Sequence, residues 1–334
     1  MLRNGMVIAL FGMIVAACTP TSTQGVVRGR AASSGPFGLM RTDDITVDSA
    51  SAFKGQGRVM VGSFLVGFST YDTASYSSRV IRTGNAARNT LVGVDTAVMQ
   101  RVVDEAYASL VASLKAQGYT VVDRAELVAA PGFAATKSYP NPYEDSSGSL
   151  FGTSSRVSYL SPTGFGETKI FQGDISGTMG GFASENALVA AANYAKASGT
   201  RVIHAVYVLG FVNATPGMKL TTMVEIGQGV TAKPAVTKLG MLADTGGFSA
   251  GNGVLSLGQP ITSDHEFATI TNTTTGGAIA AETAVNVLSS LAGVGGSVAR
   301  DFSFTARPAD YAAAATDALA QVNAGFVAKM VSLR

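Results

Sequence analysis

Few side chains in this chain could carry proton-transfer or metal chemistry. The 334 residues include two histidines, His204 and His265, and one cysteine, Cys18. His204 lies inside an apolar run, and His265 lies in the turn-like sequence TSDHE. Neither is flanked by a nucleophile motif such as GxSxG, so a serine hydrolase is not indicated. We predict that His204 is a satisfied interior or edge histidine, with a catalytic role as the alternative.

One short cluster carries potential cation ligands, namely Asp264, His265 and Glu266. Three adjacent residues on a strand point to alternate faces, so we expect no metal site there. The chain also lacks the phosphate-binding patterns GxxxxGK[ST] and strand-linked GxGxxG. The sequence therefore predicts no catalytic residues, no metal and no cofactor, and hence a protein that is not an enzyme. An enzyme with an unrecognised site is the alternative.

The composition indicates a globular protein with little surface charge. Charged residues make up 14% of the chain, against about 25% in an average soluble domain. There are 24 Lys and Arg against 22 Asp and Glu, and the net charge is +2. So balanced a charge does not favour a surface that follows phosphates, so we expect no nucleic-acid partner. A single cysteine excludes a disulfide framework within the chain.

The first 17 residues have the pattern of an export signal. Arg3 precedes an almost unbroken apolar run from Met6 to Val15, and the small residues Ala16 and Ala17 follow. This run is shorter than the ~20 residues that a helix needs to cross a bilayer. We therefore predict that residues 1–17 are a signal peptide that is removed from the mature protein.

The cysteine directly after this segment gives the export signal a more specific meaning. The sequence Val15-Ala16-Ala17-Cys18 resembles the lipobox of bacterial lipoproteins. That resemblance implies cleavage between Ala17 and Cys18, a diglyceride on the Cys18 sulfur, and an acyl chain such as palmitate on the freed amine. Two or three such chains hold a protein to a membrane almost permanently. The alternative is an ordinary signal peptide that contains a cysteine.

The residue after the cysteine bears on the destination of the protein. Lipoproteins kept in the inner membrane of Gram-negative bacteria often have Asp at this place, whereas this chain has Thr19. The resemblance therefore implies an outer-membrane lipoprotein that faces the periplasm. The following run, Thr19 to Ser34, has no apolar period and predicts a flexible tether. We place the acylated cysteine and tether at 18–52 and one mixed α/β domain at 53–334.

Apolar patterns define the main elements of that domain. The run Arg58 to Phe68 predicts a buried strand. Apolar residues at every fourth position from Val94 to Gln117 predict an amphipathic helix, with Asp95 as its N-cap and Gly118 at its C-terminal end. The segment 129–183 is rich in Pro and Tyr and predicts a long loop or an inserted hairpin.

A second helix and strand follow the insertion. Ser184 to Ala197 predicts a helix, and Arg201 to Asn213, which is apolar on both faces, predicts a central strand. Leu220 to Asp244 predicts a long hairpin that turns at Gly227-Gln228-Gly229 and contacts a neighbouring subunit or lipid. Pro308 to Val331 predicts a closing helix. The expected fold class is α/β (α+β), a mixed sheet flanked by helices with an added long β-hairpin.

This order of elements resembles the outer-membrane lipoproteins of the curli-secretion channel and Pel-export type. The segments that carry the resemblance are Arg58 to Phe68, Leu110 to Glu126, Arg201 to Asn213 and Pro308 to Arg334. The resemblance implies a homo-oligomeric ring that serves secretion or surface-polymer export, with secretion-system or envelope proteins as partners and no catalytic residues. The alternative is a lipid-anchored periplasmic binding protein or enzyme.

Overall fold

A computed structural model gives the fold of residues 21–26, 44–55, 57–78, 83–150, 153–175, 186–216, 224–243, 252–281 and 297–334. The predicted signal peptide, Cys18 and most of the predicted tether lie outside these described residues. Among the helices that are described, none is long and apolar enough to cross a bilayer.

The described strands belong to one mixed sheet, with helices on both faces, as the fold-class prediction states. The strands are β1 (Thr21–Val26), β2 (Ile45–Asp48), β3 (Arg58–Ser78), β4 (Thr83–Val92), β5 (Thr120–Val122), β6 (Tyr143–Leu150), β7 (Thr153–Leu160), β8 (Arg201–Pro216), β9 (Val224–Ala232), β10 (Lys238–Leu242), β11 (Asn252–Leu257), β12 (Ile261–Thr262), β13 (Ala268–Asn272) and β14 (Ser297–Ala306). The helices that we label are α1 (Thr96–Ala116), α2 (Ala125–Val128), α3 (Pro131–Ala134), α4 (Ala187–Ser198) and α5 (Pro308–Leu333).

Two long parallel strands, β3 and β8, form the centre of the sheet. They pair from Val59 opposite Arg201 to Phe68 opposite Leu209. The apolar side chains on both faces of this pair are buried, which explains why both strands are nearly continuous hydrophobic runs. Both predicted strands are confirmed, and each extends further toward the C-terminus than we predicted.

The two central strands separate after this pairing and take new neighbours. The second half of β3 pairs with β4, from Tyr71 opposite Thr90 onward, and β14 continues this side of the sheet parallel to β4. The second half of β8 instead pairs with β9. The two parts of the sheet then pack on each other, with the ring of Phe211 on β8 edge-on to Phe304 on β14 at 5.1 Å. The sheet is therefore forked, with a core between its two arms.

The hairpin that we predicted at Leu220 to Asp244 is wrong in its pairing. Gly227-Gln228-Gly229 lies inside β9 and makes no turn, and β9 and β10 both pair antiparallel with β8. Strand β9 instead pairs with β8 from Val224 opposite Pro216, and residues 217–223 between them are not described. Close packing explains the glycine at 229, because a Cβ atom there would lie 2.3 Å from Nδ2 of Asn213.

Helices α1 and α5 cover one face of the sheet. Asp95 caps α1 as predicted, since its Oδ1 accepts the Val98 amide at 2.8 Å. Gly118 follows the helix with φ of 80°, a conformation that glycine adopts without strain. The buried residues of α1 are those of its predicted apolar face: Val98, Met99, Val102, Val103, Ala106, Leu110 and Leu114.

A buried polar network joins α1, α5 and the sheet. The Tyr207 hydroxyl on β8 donates to Oδ1 of Asn323 on α5 at 2.9 Å, and Nδ2 of Asn323 donates to the Ala106 carbonyl on α1 at 2.9 Å. Burial raises the pKa of the Tyr207 phenol, so this hydroxyl keeps the proton that it donates. Because each of these groups has one complementary partner, the network fixes how the two helices are placed on the sheet.

The opposite face carries α2, α3, α4 and the segment 161–175 that follows β7. The second predicted helix is confirmed at Ala187–Ser198. Its N-cap is Asn186, whose Oδ1 accepts the Leu188 amide at 2.9 Å. In the insertion at 129–183, the structure contains a hairpin, in which β6 pairs with β7 and β7 pairs with β3.

Strand β1 lies in the segment that we predicted to be a flexible tether. It pairs in parallel with β9, with Thr21 opposite Glu225. An apolar pattern is not needed for a short strand that is added to an existing edge, because backbone groups supply the pairing. Residues 21–26 of the predicted tether are therefore part of the sheet.

Candidate functional site

The predicted lipidation site, Cys18, and the cleavage position at Ala17 lie outside the described residues. The nearest described element is β1, which starts at Thr21. What the structure shows of the predicted anchor is therefore the place where the chain enters the sheet. This place is beside Glu225, the second residue of β9.

His204 is an interior histidine on the central strand β8. Its Nδ1 lies 2.8 Å from Oδ1 of Asp174, and the two side chains are 9% and 1% exposed. A carboxylate oxygen only accepts, so Nδ1 of the imidazole donates this hydrogen bond. The ring of Phe171 stacks on the imidazole with 5.5 Å between centroids. The second carboxylate oxygen of Asp174 is buried and has no hydrogen-bond partner in the described structure.

The other nitrogen of His204 lies over the neighbouring strand. A Cβ atom built on Gly240 of β10 would be 1.9 Å from Nε2 of His204. The imidazole therefore leans towards β10, away from Ser63, its neighbour on β3. The Ser63 hydroxyl donates to the Lys169 carbonyl at 3.2 Å. Ser63 and His204 are thus neighbours in the sheet and Asp174 contacts His204, but the three are not aligned as a nucleophile, a base and an orienting acid.

Several polar contacts join the segment from 161 to 175 to the loop that follows α3. The ammonium of Lys169, 5% exposed, lies 3.1 Å from Glu167 and donates to the Thr136 carbonyl at 2.6 Å and to the Ser138 hydroxyl at 2.9 Å. Hydrogen bonds from Ser138 and Lys169 hold the pKa of the Glu167 carboxyl below its usual value. The Lys169 charge is therefore fully used in holding two loop segments together.

The sequence did not identify Asp174 or Phe171 as partners of His204. Both lie in the insertion at 129–183, about 30 residues before the histidine, and no local pattern links them to the strand. The only available signal was an aspartate within a segment that had to cover an apolar sheet face. A pairing of this kind depends on tertiary structure alone.

The second histidine and its acidic neighbours lie in an exposed loop. Asp264, His265 and Glu266 are exposed and lie in the loop between β12 and β13 rather than on a strand. Within the described ranges, no group of three His, Cys, Asp or Glu side chains could hold a metal ion. Two acidic residues of α1 instead serve packing, since Asp104 accepts the Thr163 amide at 2.7 Å and Glu105 accepts the Thr316 hydroxyl at 2.9 Å.

No protein-family model matches the sequence, no curated protein matches it, and no solved structure matches it. The candidate residues therefore come from the sequence and from the described structure alone. They are Cys18, which precedes β1 by three residues in the sequence, and the contacting pair of Asp174 and His204.

Proposed function

We propose that the protein is a lipid-anchored structural or assembly protein of the bacterial outer membrane that faces the periplasm. The observation that carries this proposal is that β1 starts at Thr21, three residues after Cys18, and pairs with β9. A chain that enters its sheet directly after the acyl chains is held against the membrane. Such close attachment suits a structural part better than a binding protein that moves on a long tether.

We further propose that copies of the chain assemble into a homo-oligomer, a ring that acts as an accessory of secretion or of surface-polymer export. Among the described strands, six have one neighbouring strand each: β1, β2, β5, β6, β12 and β13. Open strand edges are templates for pairing with another chain. The low share of charged residues, 14%, also suits subunit contacts, because interface cores are depleted in charge. Secretion-system or envelope proteins would be the further partners.

Lipidation is tested by labelling cells with a tagged fatty acid. Cys18→Ser should give an unlabelled and poorly processed precursor, because the Cys18 sulfur is the proposed acceptor. Thr19→Ser is the matched control and should be labelled like the wild type. Equal labelling of the Cys18→Ser protein would refute the lipoprotein proposal.

The destination is tested separately by cell fractionation. Thr19→Asp should move the labelled protein from the outer towards the inner membrane, whereas Thr19→Ser should not. An unchanged distribution of the Thr19→Asp protein would contradict the proposed sorting.

Assembly is tested by light scattering of the detergent-extracted protein. A ring should have several times the 34.0 kDa mass of the chain. A monodisperse particle with the mass of one chain would contradict the proposed oligomer. The proposed lipid anchor does not depend on this result.

One observation favours the alternative, a lipid-anchored binding protein or enzyme. The pair of Asp174 and His204 is buried, and one carboxylate oxygen has no partner within the described structure. His204→Gln tests this alternative, because glutamine can keep a hydrogen bond to Asp174 but cannot transfer a proton. If the protein is a structural or assembly protein, this variant should be exported and should assemble normally. Loss of function in a variant that is folded and correctly located would favour the binding protein or enzyme.

A further inference from the structure

Three pairs of strand ends lie at the same end of the sheet. Strand β3 ends at Ser78, opposite Thr83 of β4, and β8 ends at Pro216, opposite Val224 of β9. Because β3 and β8 are parallel, these four strand ends are at the same end. Leu150 of β6 and Thr153 of β7 lie there too, since β7 runs antiparallel to β3. We call this end, marked by Ser78, Pro216 and Leu150, the turn end.

Strand β1 starts at the turn end. It runs parallel to β9, and Thr21 lies opposite Glu225 at the start of β9. Cys18 precedes Thr21 by three residues, so the two residues are at most about 11 Å apart even in a fully extended chain. The position of Thr21 therefore limits where acyl chains on Cys18 can enter a bilayer.

The opposite end of the sheet is far from this point. It is marked by Arg58 at the start of β3, Thr120 at the start of β5 and Arg201 at the start of β8. Glu225, beside Thr21, is paired with Thr215 of β8, and β8 runs from Arg201 to this point, which corresponds to about 45 Å along the strand at 3.2–3.4 Å per residue. A three-residue link cannot cover that distance.

We propose that the turn end of the sheet contacts the lipid bilayer and that the end marked by Arg58, Thr120 and Arg201 projects away from it. This orientation rests on the proposed acylation of Cys18. It adds to that proposal which surface of the folded protein touches lipid. In this orientation the strands run roughly along the membrane normal. The sheet face covered by α1 and α5 is then roughly perpendicular to the membrane surface.

The orientation can be measured by energy transfer from single labels to the membrane surface. Cys18 is the only cysteine of the chain, so in the acylated protein an introduced cysteine is the one free thiol. We choose Thr83→Cys at the turn end, Thr90→Cys about 23 Å along the strand from it, and Gln117→Cys beside the opposite end. Thr90 and Gln117 are exposed. The full-length acylated proteins are reconstituted into phosphatidylethanolamine and phosphatidylglycerol vesicles with acceptor-labelled headgroups.

The expected transfer efficiency decreases in the order Thr83, Thr90, Gln117, and it falls several-fold between the first and the last. Equal efficiencies, as for a sheet that lies flat, or the reverse order would overturn the orientation while vesicle binding still supports the lipid anchor. Failure of all three proteins to bind vesicles, together with no fatty acid on Cys18, would instead overturn the proposed function and the orientation with it.

A pair of insertions separates the role of the short link from other causes. An insertion of about 20 Gly and Ser residues, which spans about 25 Å as a flexible chain, is placed between Thr19 and Pro20. It should lower the transfer efficiency at Thr83→Cys. The same insertion between Ser33 and Ser34, after β1, should leave the efficiency unchanged. Equal effects of the two insertions would show that the link before β1 does not position the sheet.

Discussion

Lys233 and Asp72 form an ion pair at the fork of the sheet, where β3 and β8 separate. Nζ of Lys233 lies 2.6 Å from Oδ2 of Asp72, and the side chains are 20% and 16% exposed. The stem of Lys233 covers Gly210 on β8, since a Cβ atom on Gly210 would lie 2.7 Å from its Cε. The pair therefore joins the segment after β9 to β3 across the point where the two arms diverge.

Removing one partner of this pair should destabilise the protein more than removing both. Lys233→Met keeps an apolar stem over Gly210 but leaves the Asp72 carboxylate unpaired, so we expect a loss of about 1–3 kcal/mol in the free energy of unfolding. The double variant with Asp72→Asn should recover part of this loss. Urea unfolding of the four proteins in the cycle measures the coupling, and additive effects would contradict the linkage.

The buried Tyr207 and Asn323 pair should behave in the same way. Asn323→Leu leaves the Tyr207 hydroxyl without a partner, whereas the Ala106 carbonyl keeps its place in the hydrogen bonding of helix α1. A buried hydroxyl without a partner costs about 1–3 kcal/mol. Combining it with Tyr207→Phe removes the orphaned hydroxyl and should restore part of the free energy of unfolding. If the double variant is less stable than Asn323→Leu alone, the hydroxyl is not orphaned in the single variant.

The face of α1 that touches the sheet should reject a charge. Val102 has no exposed surface, so Val102→Asp places a carboxylate in the core and should cost several kcal/mol or prevent folding. Ala108→Asp is the matched control, because Ala108 is exposed on the same helix. Its cost should stay near the difference in helix propensity, about 0.5 kcal/mol. Thermal unfolding followed by circular dichroism compares them.

The contact between His204 and Gly240 predicts that two glycine substitutions differ in their effect on the free energy of unfolding. Gly240→Ala puts a methyl group 1.9 Å from Nε2 of His204, so the imidazole must move away from Asp174, at a cost of about 1–3 kcal/mol. A Cβ atom on Gly132 in α3 meets nothing within 4 Å, so Gly132→Ala should be neutral or slightly stabilising. Equal stability of the two variants would contradict the close approach of the imidazole.

The contacts of Glu167 predict a dependence of stability on acid pH. Hydrogen bonds from Ser138 and Lys169 lower its folded-state pKa from the ordinary 4.5. The contribution of the carboxylate to stability is therefore present above pH 4.5 and is lost as the pH falls through the lower, folded-state value. The difference in unfolding midpoint between the wild type and Glu167→Gln should shrink over this acid range. A difference that is constant with pH would show that the ionised form is not favoured in the folded state.

Local patterns were sufficient to predict the central strands and the main helices. The apolar runs that begin at Arg58 and Arg201 indicate strands that are covered on both faces. The apolar residues at every fourth position from Val94 indicate one buried helix face. These signals depend on burial, which acts on every turn or alternate residue of an element. The cap at Asp95 was predictable for a similar reason, since a carboxylate that accepts a free helix amide acts within three residues.

Pairing between distant segments could not be predicted in the same way. The sequence Gly227-Gln228-Gly229 has the composition of a turn, but its glycines lie in a strand, and at 229 the position has no room for a side chain. The second half of β3, Ser69 to Ser78, is polar, so no apolar run marks it as a strand. It pairs with β4 and β7 beyond the part of β3 that pairs with β8. The Asp174 to His204 contact and the β1 to β9 pairing are likewise tertiary, so no local pattern marks them.

The parallel pairing at the centre of the sheet has a consequence for the order of folding. It joins segments such as Arg58 and Thr200, which are separated by 142 residues, whereas β3 with β4, β6 with β7 and β8 with β9 are neighbours in sequence. Loop closure over so long a separation is slow. We expect the three local hairpins to form first and the parallel pairing of β3 with β8 to form last. Until β8 has been exported and has folded, the unpaired apolar edge of β3 is exposed to pairing with other chains.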